Sequence, residues 1–188
     1  MKSRALMDKR TRLVDAAAKL VHKQGFGRTT LADIAAESGV PLGNVYYYFK
    51  SKEAIGDALV DRLDRIYATH REVWEKELDP MGRVEAFIQE TIDNRDSIAR
   101  GGCQVGSLCA ELHKEGGPLA MRAAKLFDDL LKWNEEQFRL MGHGAKSRDL
   151  AFHLLSALQG ASLLANTFHE TRSITREATR LKEWVRSL

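Results

Sequence analysis

A run of polar and aromatic side chains, NVYYYFKSK over residues 44–52, is the stretch of the chain best suited to bind an anionic partner. Three consecutive tyrosines cannot all face inward on one helix, so at least one phenol must reach solvent or a partner. Tyrosine hydroxyls and lysine ammonium groups bind phosphates well, and Asn44 can bind an adenine edge through two hydrogen bonds. These residue types predict contact with DNA.

Two short helices joined by a tight turn are predicted to position these side chains. Thr30, followed three residues later by an aspartate, has the form of a capping box at a helix start. Gly39 supplies the permissive backbone of a tight turn, and Pro41 lies where the next helix begins. Val45 and Phe49, four residues apart, give that second helix a buried side. The pattern indicates a helix-turn-helix whose second helix enters the major groove.

This run closely resembles the helix-turn-helix of the TetR family of bacterial regulators. The matching positions are Gly39, Val40, Gly43, Tyr46, Tyr48, Phe49 and Lys52. The resemblance implies an all-α protein, in which an N-terminal three-helix DNA-binding domain is joined by a long helix to a helical ligand-binding and dimerisation domain. It also implies a homodimer on double-stranded DNA with a palindromic operator, and a small-molecule effector.

The resemblance also implies which residues contact DNA. Residues 42–44 are expected to face base edges, Tyr46 and Tyr47 to contact phosphates or bases, and Lys52 to contact a phosphate. Many family members have a polar residue at position 41 or 42, so we expect fewer hydrogen bonds to bases here and contacts with thymine methyl groups instead. The predicted set is Thr30, Pro41, Leu42, Gly43, Asn44, Tyr46, Tyr47, Tyr48 and Lys52.

Positive charge is concentrated in the same part of the chain. The formal net charge of the whole chain is only +3. Residues 1–56, however, hold ten Lys and Arg against five Asp and Glu, and the remainder is slightly acidic. This distribution is typical of an electrostatic DNA footprint confined to one end. We predict a DNA-binding domain over residues 1–56 and a regulatory domain over residues 57–188.

Apolar spacing and helix breakers predict helices along the whole chain. A first helix over residues 8–24 precedes the helix-turn-helix, and Ser51 caps a long helix that runs to about residue 78. Asp79 and Pro80 have the types expected at a helix start, and they begin a helix that runs to about residue 97. Further helices are predicted over residues 103–114, 118–140, 147–169 and 173–187.

The helix predicted over residues 147–169 resembles the family element that forms a four-helix dimer interface. Leucines recur along one flank, and Gly160, Ala161, Ser162 and Ala165 are small. Small residues let two helices approach closely, which suits an interface between subunits. The alternative is an ordinary helix buried inside one subunit.

Cys103 is the residue outside the helix-turn-helix with the clearest capacity for covalent chemistry. It follows two glycines at a predicted helix start, where free amides and the helix dipole favour a thiolate that can sense oxidants or electrophiles. The pattern GCxxGxLxxEL resembles a branch of the TetR family that includes a few regulators responsive to reactive electrophiles. The alternative is that Cys103 is a small residue at a helix start and Cys109 a core residue.

A ligand cavity between helices of the second domain is the other sensor that the sequence suggests. Aromatic side chains would line such a cavity and scattered polar groups would orient a ligand, although each aromatic residue can equally be core. The candidate residues are Cys103, Gln104, Ser107, Phe127, Trp133, Phe138 and His153.

The motifs of common enzyme classes are missing from the sequence. Neither phosphate-binding pattern, GxGxxG or GxxxxGK[ST], occurs, and there is no GxSxG nucleophile elbow. Cys103 and His113, ten residues apart, are too distant on one helix for direct activation of the thiol. The six histidines lack the spacing of a metal site. We expect no enzymatic activity, no cofactor and no metal.

The remaining features concern location and the choice between two DNA-binding functions. No run of about 18 uncharged apolar residues occurs, as a membrane span would require, and the amino terminus has no apolar signal segment. We therefore expect a cytoplasmic protein without a membrane partner. Our interpretation is a repressor that leaves a palindromic operator when an inducer binds or Cys103 is modified. The alternative is an architectural DNA-binding protein without an inducer, which would not need the large second domain.

Overall fold

The computed structural model describes residues 8–77 and 79–188, and within them the chain is helical with no β-strand. This confirms the predicted all-α fold with an N-terminal helix-turn-helix. A short 3-10 helix, Gly144–Lys146, lies in the turn between the eighth and ninth helices. The helices are α1 Lys9–Gln24, α2 Leu31–Ser38, α3 Leu42–Tyr48, α4 Lys52–Trp74, α5 Pro80–Asp93, α6 Arg95–Gly101, α7 Gln104–Glu115, α8 Gly117–Leu140, α9 Ser147–Phe168 and α10 Arg172–Ser187.

The predicted helix starts are confirmed by their capping contacts. The Thr30 hydroxyl accepts the Asp33 N–H at 3.1 Å, and the Asp33 carboxylate accepts the Thr30 N–H at 2.9 Å. The Asp79 carboxylate accepts the Gly82 N–H at 2.8 Å, with proline in the first turn of α5. Because these side chains satisfy amides that have no partner within the helix, they fix where α2 and α5 begin.

One predicted helix is wrong in its extent. The helix expected over residues 80–97 ends at Asp93, and a separate short helix, α6, follows Asn94. The Arg95 guanidinium donates to the Ile92 carbonyl at 3.0 Å, and such side-chain bonds satisfy carbonyls that have no partner within the helix. The long helix predicted to reach residue 78 ends at Trp74, and residue 78 itself lies outside the described residues. Other boundaries differ by one or two residues.

The chain divides into two compact units that do not follow a single cut in the sequence. The first unit runs through Arg65 and also includes Ser107–Ala124. The second consists of Ile66–Gly106 and Lys125–Leu188. Helices α4, α7 and α8 each contribute residues to both units. The division of function after residue 56 stays a prediction.

The core of the first unit holds the helix-turn-helix in place. Leu13 of α1, Ile34 of α2 and Val45 of α3 are almost completely buried, as are Phe26 and Phe49. Each such side chain contributes roughly 1.5–3 kcal/mol when it leaves water. The predicted buried side of the second short helix, Val45 and Phe49, is therefore confirmed.

The core of the second unit is rich in aromatic rings. Trp74 lies with its ring centroid 5.1 Å from that of Phe87 and 4.9 Å from that of Trp133. Aliphatic residues of α9 and α10, including Leu154 and Leu181, complete this cluster.

Candidate functional site

The turn between α2 and α3 sets the position of the helix predicted to read DNA. Gly39 ends α2 with φ of 65°, in the left-handed region that glycine adopts without strain. The Val40 N–H donates to the Ser38 hydroxyl at 3.2 Å and to the Ala35 carbonyl at 3.2 Å. The Arg12 guanidinium donates to the Ser38 carbonyl at 2.5 Å, which ties this turn to α1.

Helix α3 has one buried side and one open side. Val45 is completely buried, whereas Tyr47 is 75% exposed, Tyr46 49% and Leu42 41%. Large apolar and aromatic side chains that lie exposed side by side are typical of surfaces that bind a partner. The sequence argument that a phenol must reach solvent is confirmed at both Tyr46 and Tyr47.

The remaining predicted residues of α3 border the same face. Pro41 and Gly43 are exposed, and a side chain at Gly43 would meet no atom within 4 Å. The backbone at Gly43 can therefore approach a partner closely. Asn44 and Tyr48 are half-buried, and the Tyr48 ring packs edge-on against that of Tyr47, with centroids 5.1 Å apart.

Thr30 lies exposed at the start of α2, where the free amides and the helix dipole favour an anion such as a phosphate. Its hydroxyl donates to the Asp33 carboxylate at 2.7 Å in addition to the capping bonds. These contacts lower the pKa of Asp33, the Thr30 side chain having the larger effect and the Thr30 backbone the smaller.

Lys52 begins α4 and is held by the loop between α1 and α2. Its ammonium donates to the Gly27 carbonyl at 2.8 Å and lies 4.8 Å from the centroid of the Phe26 ring. Arg28, in the same loop, and Lys50, just after α3, are exposed. Arg28 was not among the predicted contacts, because no motif marks it; the structure shows it exposed two residues before Thr30.

In the second unit, Cys103 precedes α7, which confirms that it lies at a helix start. Its sulfur accepts the Gly106 N–H at 3.5 Å and the Gln159 side-chain N–H at 3.5 Å. A side chain at Gly106 would lie 2.6 Å from the Gln159 amide oxygen, so only glycine allows Gln159 to reach the sulfur undisturbed. Cys103 is half-buried, and both cysteines are free thiols.

The other predicted ligand residues fall in different surroundings. Trp133 is a member of the aromatic core, and its indole N–H donates to Glu75 at 3.0 Å. Phe138 is completely buried and His153 is exposed, and the rings of both pack against Trp184. Gln104 is exposed, and Phe127 and Ser107 are half-buried, Ser107 within the first unit.

A cluster of three polar side chains that the sequence did not reveal, Tyr67, His70 and Glu90, lies among the aromatic residues of the second unit. His70 Nδ1 lies 2.6 Å from Glu90 Oε1, and the Tyr67 ring centroid is 5.8 Å from that of His70. Burial, and after it the charges of Cys103 and Glu90, raise the pKa of Tyr67 well above its usual range. Burial also raises the pKa of Glu90, although His70 opposes the shift. The spacing of Tyr67, His70 and Trp74 along one helix face was the available signal.

A groove of about 620 Å³ runs between α9 and α10. Small or apolar residues of α9 form one wall and charged residues of α10 the other, among them Gly160, Ala161, Leu164, Arg172, Arg176 and Glu177. A large apolar surface continues beside it, because Leu163 and Phe168 are each 67% exposed.

The parts of the chain that the structure describes contain neither a metal site nor a helix able to cross a membrane. No three His, Cys, Asp or Glu side chains there come together as metal ligands would. None of the described helices has both the length and the apolarity that crossing a bilayer demands.

Comparisons with known proteins agree with this geometry. The family described as "Bacterial regulatory proteins, tetR family" matches residues 13–59. The family described as "Transcriptional regulator LmrA/YxaF-like, C-terminal domain" matches residues 80–179, more than half of the chain.

Individual relatives resemble different lengths of the chain. The HTH-type transcriptional regulator TtgR of Pseudomonas putida is 38% identical over 89 residues, which span 45% of this chain and 41% of TtgR. The HTH-type transcriptional regulator LmrA of Bacillus subtilis is 27% identical over 165 residues, which span 85% of this chain and 87% of LmrA. The chain therefore spans less than half of TtgR but most of LmrA.

Solved structures show the same fold. A TetR transcriptional regulator from Legionella pneumophila superposes with a TM-score of 0.84 at 20% identity, over 95% of this chain and 97% of that one. Regulators of this kind bind DNA through the N-terminal helix-turn-helix, and dimerisation and ligand binding through the C-terminal domain are typical of them. With both parts matched in order along the sequence, the chain belongs to the TetR family of DNA-binding transcriptional regulators.

Proposed function

We propose that this protein is a homodimeric, cytoplasmic repressor without catalytic activity. It binds a palindromic operator through α3 and leaves it when an inducer binds the second unit or when Cys103 is modified. The observation that carries the proposal is the open face of α3, on which Tyr47 is 75% exposed above a completely buried Val45. Arg28 and Thr30 just before α2, and Lys50 just after α3, are exposed and carry groups that bind phosphates.

Dimerisation is supported by the apolar surface of α9. Phe152, Leu163, Leu164 and Phe168 are between 49% and 67% exposed in the single chain. A second copy that covers this surface would remove it from water, and the exposed Gly160, around which a side chain would meet nothing within 4 Å, leaves room for a close approach. Two copies of α3 read a palindrome, whereas one short helix reads few bases.

The effector site is assigned to the surroundings of Cys103. Gln159 contacts its sulfur, and Tyr67, His70 and Glu90 supply hydroxyl, imidazole and carboxylate groups among aromatic rings. Such a set can orient a small ligand by a few hydrogen bonds on an apolar background. Trp133 remains in the proposed site because its ring packs against that of Trp74, and the Trp74 ring in turn lies beside that of His70.

Covalent induction would use the same thiol. An electrophile with an activated double bond adds to the Cys103 sulfur, so that a carbon–sulfur bond forms and the thiol proton is transferred to the neighbouring carbon. Either form of induction requires that the inducer, or the adduct, favours the state that does not bind DNA. Helix α4 is the proposed lever, because it begins at Lys52 and its residues belong to both units.

The test is binding to a DNA duplex selected from a random pool by the wild-type protein. We expect Tyr47→Ala and Lys52→Ala each to weaken binding about tenfold, as loss of a base or phosphate contact does. Lys52→Ala should also make the slope of log affinity against log salt concentration shallower by about one per subunit, because one phosphate contact is lost. Fluorescence anisotropy at several salt concentrations measures both effects.

Matched controls are Met121→Ala and Lys76→Ala, which remove an exposed side chain elsewhere. Normal binding by both Tyr47→Ala and Lys52→Ala would contradict the assignment of α3 as the reading helix. Binding with equal strength to selected and random duplexes would instead favour the architectural function.

A further inference from the structure

The first compact unit contains a segment that is distant in sequence from the helix-turn-helix. Residues 107–124, which include most of α7 and the start of α8, belong to the same unit as α1, α2 and α3. Their side chains contact the loop between α1 and α2 and the first half of α4. The DNA-binding part of the chain is therefore completed by residues that follow it by more than 40 positions.

Glu111 makes the central contact of this segment. Its carboxylate accepts the Gly27 N–H at 2.9 Å. A Cβ atom at Gly25 would lie 2.8 Å from the same carboxylate oxygen, and Gly25 has φ of 88°. Only glycine at position 25 therefore allows the loop to close on the carboxylate.

Gly27 connects this carboxylate with a predicted phosphate contact. Its N–H is bound by Glu111, while its carbonyl accepts the Lys52 ammonium at 2.8 Å. The loop that Glu111 holds thus places Lys52, and it also leads through Arg28 to Thr30 at the start of α2. A change in the loop at Gly27 would therefore displace Lys52, Arg28 or Thr30, which we propose contact the DNA backbone.

A second set of contacts fixes the same segment on α4. The Arg122 guanidinium pairs with Asp57 and, at 2.5 Å, with Asp61. A side chain at Gly56 would collide with Leu119 and lie 3.1 Å from the Phe26 ring. Glu111 is therefore presented to the loop by an anchored segment.

We propose that Glu111 is a positioning residue for DNA binding, which holds the loop of residues 25–28 and with it Lys52 in the binding arrangement. The inference rests on the proposed function, since it concerns affinity for DNA. The direction in which DNA affinity changes when Glu111 is removed distinguishes a positioning role from a purely electrostatic one. Removing a negative charge near a DNA-binding surface would by itself strengthen binding to phosphates. Loss of a positioning contact weakens it.

The experiment compares Glu111→Ala with Glu111→Gln on a duplex that the wild-type protein selects from a random pool. The glutamine variant keeps an oxygen that accepts the Gly27 N–H, and it loses the charge. We expect about a tenfold loss of affinity for Glu111→Ala, the scale of one hydrogen bond to a charged group. Glu111→Gln should bind as well as the wild type or more tightly. Asp64→Ala, which removes an exposed acid from α4, is the control.

Trypsin cleavage after Arg28 gives a readout that needs no DNA. The exposed Arg28 should be cut faster in Glu111→Ala than in the wild type, at a temperature where circular dichroism shows both folded. Unchanged or tighter DNA binding by Glu111→Ala would overturn the inference while leaving the repressor intact. An equal loss in Glu111→Gln would also overturn it, since the charge and not the contact would then be responsible. If the wild-type protein selects no duplex, the proposed function itself fails.

Discussion

Thr30 and Asp33 show how two side chains can serve both the fold and the site. Their reciprocal hydrogen bonds start α2, and the same exposed hydroxyl lies at a helix start that we propose contacts a DNA phosphate. Because Asp33 is held as the anion by these bonds, its pKa is lowered from its ordinary value of 3.8. The start of α2 is therefore sensitive to acid.

The sign of this acid sensitivity can be tested with Thr30→Ala. A carboxyl whose pKa is lower in the folded chain stabilises the fold above its unfolded pKa, and that stabilisation is lost as the pH falls through the folded pKa. We expect Thr30→Ala to melt at a lower temperature than the wild type at pH 7, with a difference that narrows steadily below about pH 4. Thermal melts from pH 7 to pH 2.5, with Thr69→Ala as a control, measure this. A constant difference over that range would contradict the role of Asp33.

Contacts between residues three or four positions apart could be predicted from the sequence. Contacts between residues that only the tertiary fold brings together could not. The Thr30 capping box and the buried pair Val45 and Phe49 follow from spacings of three and four residues, because a helix fixes such neighbours. Glu111 contacts Gly27 across 84 positions, and no local pattern specifies which glutamate will meet which loop. The GCxxGxLxxEL pattern marked Glu111, but nothing in the sequence indicated that it contacts Gly27.

Helix α9 presents two sides with different tasks. Leu154, Leu158 and Ala165 are buried in the second unit, while Phe152, Leu163 and Phe168 remain exposed. A helix that is apolar on both sides needs two partners, and one chain supplies only one. We assign the open side to a second copy of the protein.

Leu163→Glu tests this assignment at the level of the element. A glutamate in the centre of a subunit interface would be buried without a partner, so we expect the variant to have the mass of a single chain by light scattering. Its affinity for a palindromic duplex should fall at least about tenfold, because the two reading helices are no longer joined. Val73→Glu, at another exposed apolar residue, which lies on α4, should stay dimeric. A dimeric Leu163→Glu would refute the interface.

Helix boundaries followed from sequence where a strong signal exists. Asp79 and Pro80 marked the start of α5 correctly, since a cap and a first-turn proline are specific to helix starts. The break at Asn94 carried neither glycine nor proline. A side-chain bond from Arg95 to the Ile92 carbonyl satisfies a group at the end of α5, and no short sequence pattern marks such a contact.

At the scale of the whole molecule, the induction that we propose is an equilibrium between a state that binds DNA and one that does not. An effector shifts this equilibrium only by the difference between its affinities for the two states. Modification of the Cys103 thiol could shift the same equilibrium. An adduct would displace Gln159 from the sulfur, and this would destabilise the state in which the two are in contact.

Cys103→Ser is expected to abolish release from DNA by a thiol-specific electrophile. N-ethylmaleimide should release the wild-type protein from its selected duplex and add one mass of reagent at Cys103, because the adduct cannot fit against Gln159 as the free thiol does. Anisotropy and peptide mass spectrometry check the two parts. Cys109→Ser, whose thiol donates to the Ala123 carbonyl at 3.2 Å in the native chain, should respond like the wild type. Release of Cys103→Ser by the reagent would exclude the thiol mechanism and direct the search to a reversible ligand.

The inclusion of residues 107–124 in the first unit has a consequence for how such regulators can be recombined. A chimera that joins the helix-turn-helix of this chain to the body of a relative after residue 56 would leave Glu111 and Arg122 behind. Gly27 would then face whatever side chain the relative has in place of Glu111, and the contacts of Arg122 with Asp57 and Asp61 would be lost as well. We therefore expect that a graft retains operator affinity only when it carries Ser107–Ala124 together with the amino-terminal helices, two segments that are separate in the sequence.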